Sequence, residues 1–515
     1  MLVKNSTIFI LLLLQSFAFS QKTSQNRPNV LLIYTDDHRF SGIHALGGME
    51  VKTPNIDALV ANGISFNKTF LMGAFSGATC IPSRAMLMTG RQLFNLKGQG
   101  KDIPASHATI GETFKNAGYD THIVGKWHND NASLSRSFSS GSTIMGRGVY
   151  LTDHFRMPFW DWDKTGEFSN EQAYLLTYDE NQKEIKRALT KDDKRGPIGL
   201  ETHGPHTSEV FAKNAISFFE SRKKKSPFFM YLAFHAPHDP RQAPEAYKSI
   251  YSPEDVLLPP SYLPQHPFDN GHMVLRDEEL APWPRTEAIA KQQLADYYAI
   301  ITHLDDQIGK VIQSLKDTGI YENTLIILAG DSGLAVGNHG LMGKQNIYDE
   351  DGIHVPLIFS GQLIKDKGRK IDALSYIHDI FPTICDLTHV EIPQSVNGKS
   401  LAPIITGEID EVRESTYHAY KQFQRAYRKG DYKLIEYVRA PDNDWQRGNE
   451  IRGSRVTQLF NITKDPWETT DISFLPENKT LVQDMRMELI EKAKELGDYQ
   501  NPIEGETYHF WDYFN

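Results

Sequence analysis

The chain is 515 residues long, with 40% hydrophobic and 23% charged residues and a formal net charge of -10. This is an ordinary globular composition, with enough chain for one large core and a smaller module. The acidic balance argues against a nucleic-acid surface, and it leaves any anionic substrate to be held by locally placed cations and a metal.

The N-terminus reads as an export signal over residues 1–20. Lys4 gives a positive start, Ile8 to Leu14 an apolar run, and Ala18-Phe19-Ser20 a small-x-small cleavage site. The apolar run is short for a membrane span, so no stable membrane association is expected, and the mature protein is expected in the periplasm or outside the cell. Asn29 to Tyr34 is a continuous apolar run ending at Asp36-Asp37. A short helix is expected over Asp57 to Gly63, closed by an Asn-Gly cap. Cys80, flanked by Ser, Gly, Thr and Pro, has the surroundings of a helix start.

Pro227 to Phe234 is a second apolar run and ends at His235-Ala236-Pro237-His238. The following segment, Asp239 to Pro284, is rich in Pro, Asp and Asn and lacks periodicity, and reads as a substrate-facing excursion. From Thr286 to Lys316, Leu294, Tyr298, Ile301, Leu304, Ile308, Val311 and Leu315 recur at helical spacing and mark a core face. Thr324 to Ala329 is the third apolar run and ends at Asp331-Ser332-Gly333. Runs of this kind are strands buried on both faces, as in a parallel sheet covered by helices. Ligands of open α/β sheets lie at the carboxyl ends of strands, so the three ends are expected to meet at one crevice.

Cys385, the only other cysteine, falls on the buried side of a helix starting near Phe381 and reads as an inert thiol. In an exported protein the plain alternative is one Cys80–Cys385 disulfide. After Gly407 the chain changes character. Ser415 to Tyr437 and Ser454 to Phe460 read as short antiparallel strands with a hairpin turn at Arg428 to Asp431, and Met485 to Leu496 as a closing helix. The expected division is a catalytic domain over 21–409 and a smaller α+β domain over 410–515.

Asp36, Asp37 and Asp331 are hard oxygen donors suited to Ca²⁺ or Mg²⁺. Adjacent aspartates in a crevice repel unless a cation lies between them. His235 and His238 form a His-x-x-His pair, which taken alone is half of a zinc site. Arg84 follows Cys80 by one helical turn and can point back at it.

The run Cys80-Ile81-Pro82-Ser83-Arg84, continued to Gly90-Arg91, resembles the signature of the type I sulfatases, whose cysteine a maturation enzyme oxidises to Cα-formylglycine. Further blocks match that family in order: Gly125-Lys126-Trp127-His128, Pro237-His238, Gly337-Asn338-His339-Gly340-Leu341-Met342-Gly343-Lys344, and Leu459-Phe460-Asn461 through Asp465-Pro466-Trp467-Glu468. The resemblance implies an alkaline-phosphatase-like α/β fold: a large, mixed, mostly parallel sheet between helices, with a smaller C-terminal α+β domain. It implies one divalent ion, calcium with magnesium as the alternative, held by Asp36, Asp37, Asp331 and the residue after it, and touching the modified Cys80. The chain departs from the family pattern there, with Ser332 where Asn, Gln or His is usual. By the same resemblance Lys126 and Lys344 bind sulfate oxygens, Arg84 and His128 serve the formylglycine hydrate, and His238 protonates the leaving oxygen. His235 and Arg241 are expected to face substrate; Tyr251, Trp283, Arg241 and His354 are candidate sugar contacts, with helix or loop packing the favoured explanation for each. The expected substrate is a sulfated polysaccharide or its oligosaccharides, algal ulvan being one instance. The rivals are a phosphomonoesterase or phosphodiesterase of the same superfamily, and a non-catalytic sulfated-glycan binder if Cys80 stays a thiol.

Overall fold

The three apolar runs form neighbouring strands. A computed structural model describes residues 27–48, 50–146, 153–193, 204–223, 226–439, 442–444, 449–451, 454–499 and 508–514. The export-signal reading over 1–20 lies outside the described residues. Asn29–Thr35 sits at the centre of an eight-stranded sheet, with Thr324–Gly330 on one side and Phe228–Ala233 on the other, both parallel to it. Asp120–Lys126 and Ser140–Met145 extend the sheet in parallel beyond Phe228–Ala233. On the other flank Leu357–Ser360 runs antiparallel to both neighbours, followed by Gly63–Phe70 and Arg369–Tyr376 as a parallel pair. The sheet is thus mixed and mostly parallel.

Alternation along Asn29–Thr35 shows why the run is apolar throughout. Val30, Leu32 and Tyr34 enter one core, while Leu31 and Ile33 enter the other. Each such buried aliphatic side chain contributes roughly 1.5–3 kcal/mol relative to exposure. The second core is roofed by helices Pro54–Ala61, Thr207–Ser221 and Glu287–Asp317. The first core is covered by Cys80–Thr89, Ile110–Asn116 and Ile380–Thr388.

The long helix begins one residue after its expected start because Thr286 is its cap, its hydroxyl accepting from the Ile289 amide. The helix expected from Asp57 starts earlier, at Pro54, whose fixed φ suits a first helical turn. The last long helix spans Lys479–Leu496 and so opens nearly two turns before the expected Met485. A second, five-stranded sheet has the order Ser454–Asn461, Tyr432–Arg439, Gln424–Lys429, Ser415–Tyr420 and Gly73–Ala74. Its last strand comes from the N-terminal region, so this sheet is stitched to the segment that leads into Cys80. Among the described residues no helix is long and apolar enough to cross a membrane.

Candidate active site

The parallel register brings four strand ends level. Tyr34 pairs with Ala329 and Thr35 with Gly330, so Asp36-Asp37 and Asp331 emerge side by side. Tyr34 also pairs with Ala233, which places His235 and His238 on the other flank. Gly125 pairs with Ala233 in turn, so Lys126 and His128 leave the sheet at the same edge. Gly125 has φ 96, and the pairing with Ser140–Met145 slips at Val124/Gly125. A bulge of this kind re-aims the following side chain, and here it delivers Lys126 to Asp36.

Cys80 opens its helix and faces this edge. Its Sγ lies 3.2 Å from His128 Nδ1 and 3.9 Å from Lys126 Nζ. The helix is fixed to the sheet by Ser83, whose hydroxyl donates to the Asp331 carbonyl at 2.7 Å and contacts the Tyr34 hydroxyl at 2.8 Å. Both cysteines are free and buried, so the disulfide alternative does not hold in this structure. Burial pushes the Cys80 thiol up to about 11, so at neutral pH it is not a thiolate. Arg84 is wholly buried. It donates to Asp331 Oδ2 at 3.1 Å and to the Tyr231 hydroxyl at 2.8 Å, lies 3.6 Å from Asp36, and stacks over the Tyr34 ring. These contacts turn its guanidinium toward the aspartates.

Asp36, Asp37 and Asp331 are fully buried beside three cations: Lys126 bonds Asp36, Lys344 bonds Asp37 and Arg84 bonds Asp331. Burial alone would raise Asp36, but Lys126, His238 and Arg84 hold it well below the usual carboxylate range. Burial pushes Asp37 up to about 6 despite Lys344. Burial, then the Asp36 charge, drives Asp331 well above its ordinary value. Two oxygens, Asp36 Oδ1 and Asp37 Oδ2, are buried without a hydrogen-bond partner. Leaving such atoms unmatched costs several kcal/mol. Ligand atoms of Asp36, Asp37 and His238 lie within 4.8 Å of one another. Two orphaned hard oxygens in such a cluster suit a divalent cation. Asp331 and Ser332 are brought alongside, but their atoms are engaged: Asp331 Oδ1 accepts from the Asp37 amide, and the Ser332 hydroxyl donates to Asp37 Oδ1 at 3.1 Å.

Lys344 is carried by a loop clamped from two sides. Glu278 accepts from the Met342 and Gly343 amides at 3.1 and 2.9 Å while pairing with Arg285. His339 contacts Asp351 at 2.6 Å and the Glu468 carbonyl at 3.0 Å, with its ring stacked 3.8 Å from Tyr348. Glu468 and Asp349 both pair with the buried Lys433, so the second sheet backs this loop. Beside it, Gln345 donates to Asp277, which bonds Arg276 together with Asp239.

Two expected substrate contacts are buried. His235 is wholly buried, its Nδ1 3.2 Å from Asp36 Oδ2 and its ring 4.7 Å from that of His238. Arg241 bonds Gln293 on the long helix, and its Nε and Nη2 are buried without a hydrogen-bond partner. Tyr251 is held by Thr302 and the Lys52 amide, and His354 by Glu350 and Asn67. Trp283 is 38% exposed under the Arg285 guanidinium. The sequence reading missed Asp277, Glu278 and His154, whose Nε2 lies 2.9 Å from the His238 carbonyl. None of the three stands in a periodic or motif-like run.

A family model described as Sulfatase matches residues 28–390, and one described as N-sulphoglucosamine sulphohydrolase, C-terminal, matches 337–495. The chain is 26% identical over 490 residues to an ulvan-active sulfatase of Formosa agariphila, an alignment covering 93% of this chain and 83% of that protein. A solved protein in complex with its substrate D-glucosamine-2-N,6-O-disulfate superposes with a TM-score of 0.69 at 22% identity, covering 93% of this chain and 100% of the other. Phosphonate monoester hydrolase of Agrobacterium radiobacter superposes with a TM-score of 0.68 at 20% identity, covering 91% and 96%. At these identities the two structures show a shared fold.

Proposed function

This chain belongs to the sulfatase family and is a sulfuric ester hydrolase on the alkaline-phosphatase-like fold, and we propose that it is exported and desulfates a sulfated polysaccharide or its oligosaccharides. The observation that carries the reading is the single constellation around Cys80: its Sγ within 3.2 Å of His128 and 3.9 Å of Lys126, opposite a cluster of three buried aspartates. The catalytic unit is 21–409, with 410–515 as the supporting α+β domain. Residues 1–20 direct export to the periplasm or the medium. The names of two relatives support the substrate class, one being ulvan-active and one solved with a sulfated glucosamine.

Asp36 and Asp37, with Asp331 and Ser332 alongside, would hold one calcium ion, which supplies positive charge against the sulfate oxygens. A maturation enzyme would convert Cys80 to formylglycine, whose hydrate offers one hydroxyl to attack sulfur and a second whose proton loss lets sulfate depart. Left unconverted, the thiol would be un-ionised at neutral pH and a poor nucleophile.

The chain's own groups supply the rest. His128 Nδ1 faces the reacting atom of residue 80 and takes its proton; burial, with Lys126 next in weight, holds the imidazole well below its ordinary value, so it is neutral and able to accept. Lys126 and Lys344 bind sulfate oxygens by charge-assisted hydrogen bonds. Three acidic side chains, at most three negative charges, face three cations here, so a divalent ion would leave the site positive and matched to an anion. His238 Nδ1 lies 2.7 Å from the Asp239 carbonyl and must carry the hydrogen there, so Nε2 is the atom that first takes up a proton and then passes it to the departing alcohol, against the burial that favours the neutral ring.

Sulfate release from ulvan and glycosaminoglycan oligosaccharides, read by ion chromatography, tests the proposal. Release from at least one saccharide is expected. Turnover of phosphate mono- or diesters with no sulfate released would favour the phosphohydrolase instead.

A further inference from the structure

His154 belongs to no recognised block, yet it touches two catalytic-edge histidines. Its Nε2 lies 2.9 Å from the main-chain carbonyl of His238, and its Nδ1 lies 2.8 Å from Thr207 Oγ1. A carbonyl only accepts, so Nε2 carries the hydrogen, and Nδ1 accepts from the Thr207 hydroxyl. The ring is sandwiched, 4.7 Å from the His235 ring and 4.8 Å from that of His206, the latter at an interplanar angle of 4°. His206 is itself fixed by the Gln242 carbonyl and the Ser208 amide, and His235 by Asp36. His154 therefore has no free direction to turn. The His238 amide already donates to the His235 carbonyl, so the contact from His154 fixes the other end of that residue's main chain.

We propose that His154 is a positioning residue that holds the main chain of His238, so that the His238 ring meets the leaving oxygen. The inference rests on the reading of His238 as proton donor. A donor matters most when the leaving group is basic, and misplacement by about 1 Å can cost on the order of 100-fold. The test is kcat/KM over substituted phenyl sulfates, from 4-nitrophenyl to 4-methoxyphenyl, for wild type, His154→Phe, His154→Gln, Thr207→Val and His238→Ala. His154→Phe should lose at least tenfold more on 4-methoxyphenyl than on 4-nitrophenyl sulfate. His154→Gln, whose carboxamide can reach the carbonyl, should recover most of that difference, and Thr207→Val should shift it in the same direction as Phe but less. A uniform loss across the series for His154→Phe, with His238→Ala still selective, overturns the inference alone. A uniform loss for His238→Ala overturns the proton-donor reading and the inference with it. If His154→Phe does not fold, the Thr207→Val slope decides, and an unchanged slope counts against the proposal.

Discussion

Gly125→Ala perturbs the point where strand geometry aims Lys126. At this position φ is 96, and an added Cβ would stand 2.0 Å from the Ala233 carbonyl oxygen, a main-chain atom that cannot swing away. The left-handed backbone costs an L-residue about 1–2 kcal/mol. Forcing two packed strands apart adds about 1–3 kcal/mol. Gly118→Ala is the natural control, because Gly118 shares the left-handed conformation, with φ 87, and has nothing within 4 Å of its would-be Cβ. Gly118→Ala should therefore lose only the backbone part, and Gly125→Ala a further 1–3 kcal/mol, roughly. The strands pushed apart carry Lys126 and His128 on one side and His235 and His238 on the other, so turnover should fall with stability. Urea denaturation followed by circular dichroism, with 4-nitrophenyl sulfate hydrolysis on the same samples, measures both. If Gly125→Ala matches Gly118→Ala in stability and retains wild-type turnover, the bulge does not position Lys126 and the reasoning is wrong.

Arg425 and Asp498 form a buried bidentate pair at 2.6 and 3.0 Å, so Arg425→Met should destabilise by about 3–5 kcal/mol in urea denaturation. Chelator treatment followed by calcium titration should restore sulfatase activity and raise the melting temperature with ion concentration, by about 2.7 kcal/mol of stability at a hundredfold excess over Kd; no response in either would remove the cation from Asp36 and Asp37. Burial alone would lower His339, but Asp351 at 2.6 Å and then Glu468 raise it above its ordinary value of 6.5. A raised folded value means that its stabilisation is complete below 6.5 and is lost as pH climbs through the higher folded value. The stability difference between wild type and His339→Gln should accordingly be largest in acid and shrink on the alkaline side, as read by melting temperature across pH.

The fold and the catalytic edge were legible where the chain repeats a simple physical pattern. Leu31 and Leu32 face opposite cores, and that is why the run reads as continuous apolar residues ending abruptly in Asp36-Asp37. Cys80, Lys126, His128, His238 and Lys344 stood out because each lies in a block that resembles a motif of the sulfatase family. What escaped depends on contacts that no local pattern encodes. Gly73–Ala74 joins the second sheet as a two-residue strand, too short for periodicity to register. Glu278 sits in an aperiodic excursion, and its role exists only because the Met342 and Gly343 amides come to rest against it. His235 follows its strand by two residues, and the stack with His154 and the bond to Asp36 that fix its ring are contacts no local pattern encodes.

On the proposed reading, residue 80 works as an oxidised former thiol among the aspartates and lysines. Peptide mass spectrometry of the segment containing Cys80, taken from enzyme whose sulfate release has been measured, tests it directly. The aldehyde or its hydrate is expected at position 80, with activity rising in proportion to the converted fraction. Full sulfatase activity from a preparation in which Cys80 is entirely thiol would contradict it.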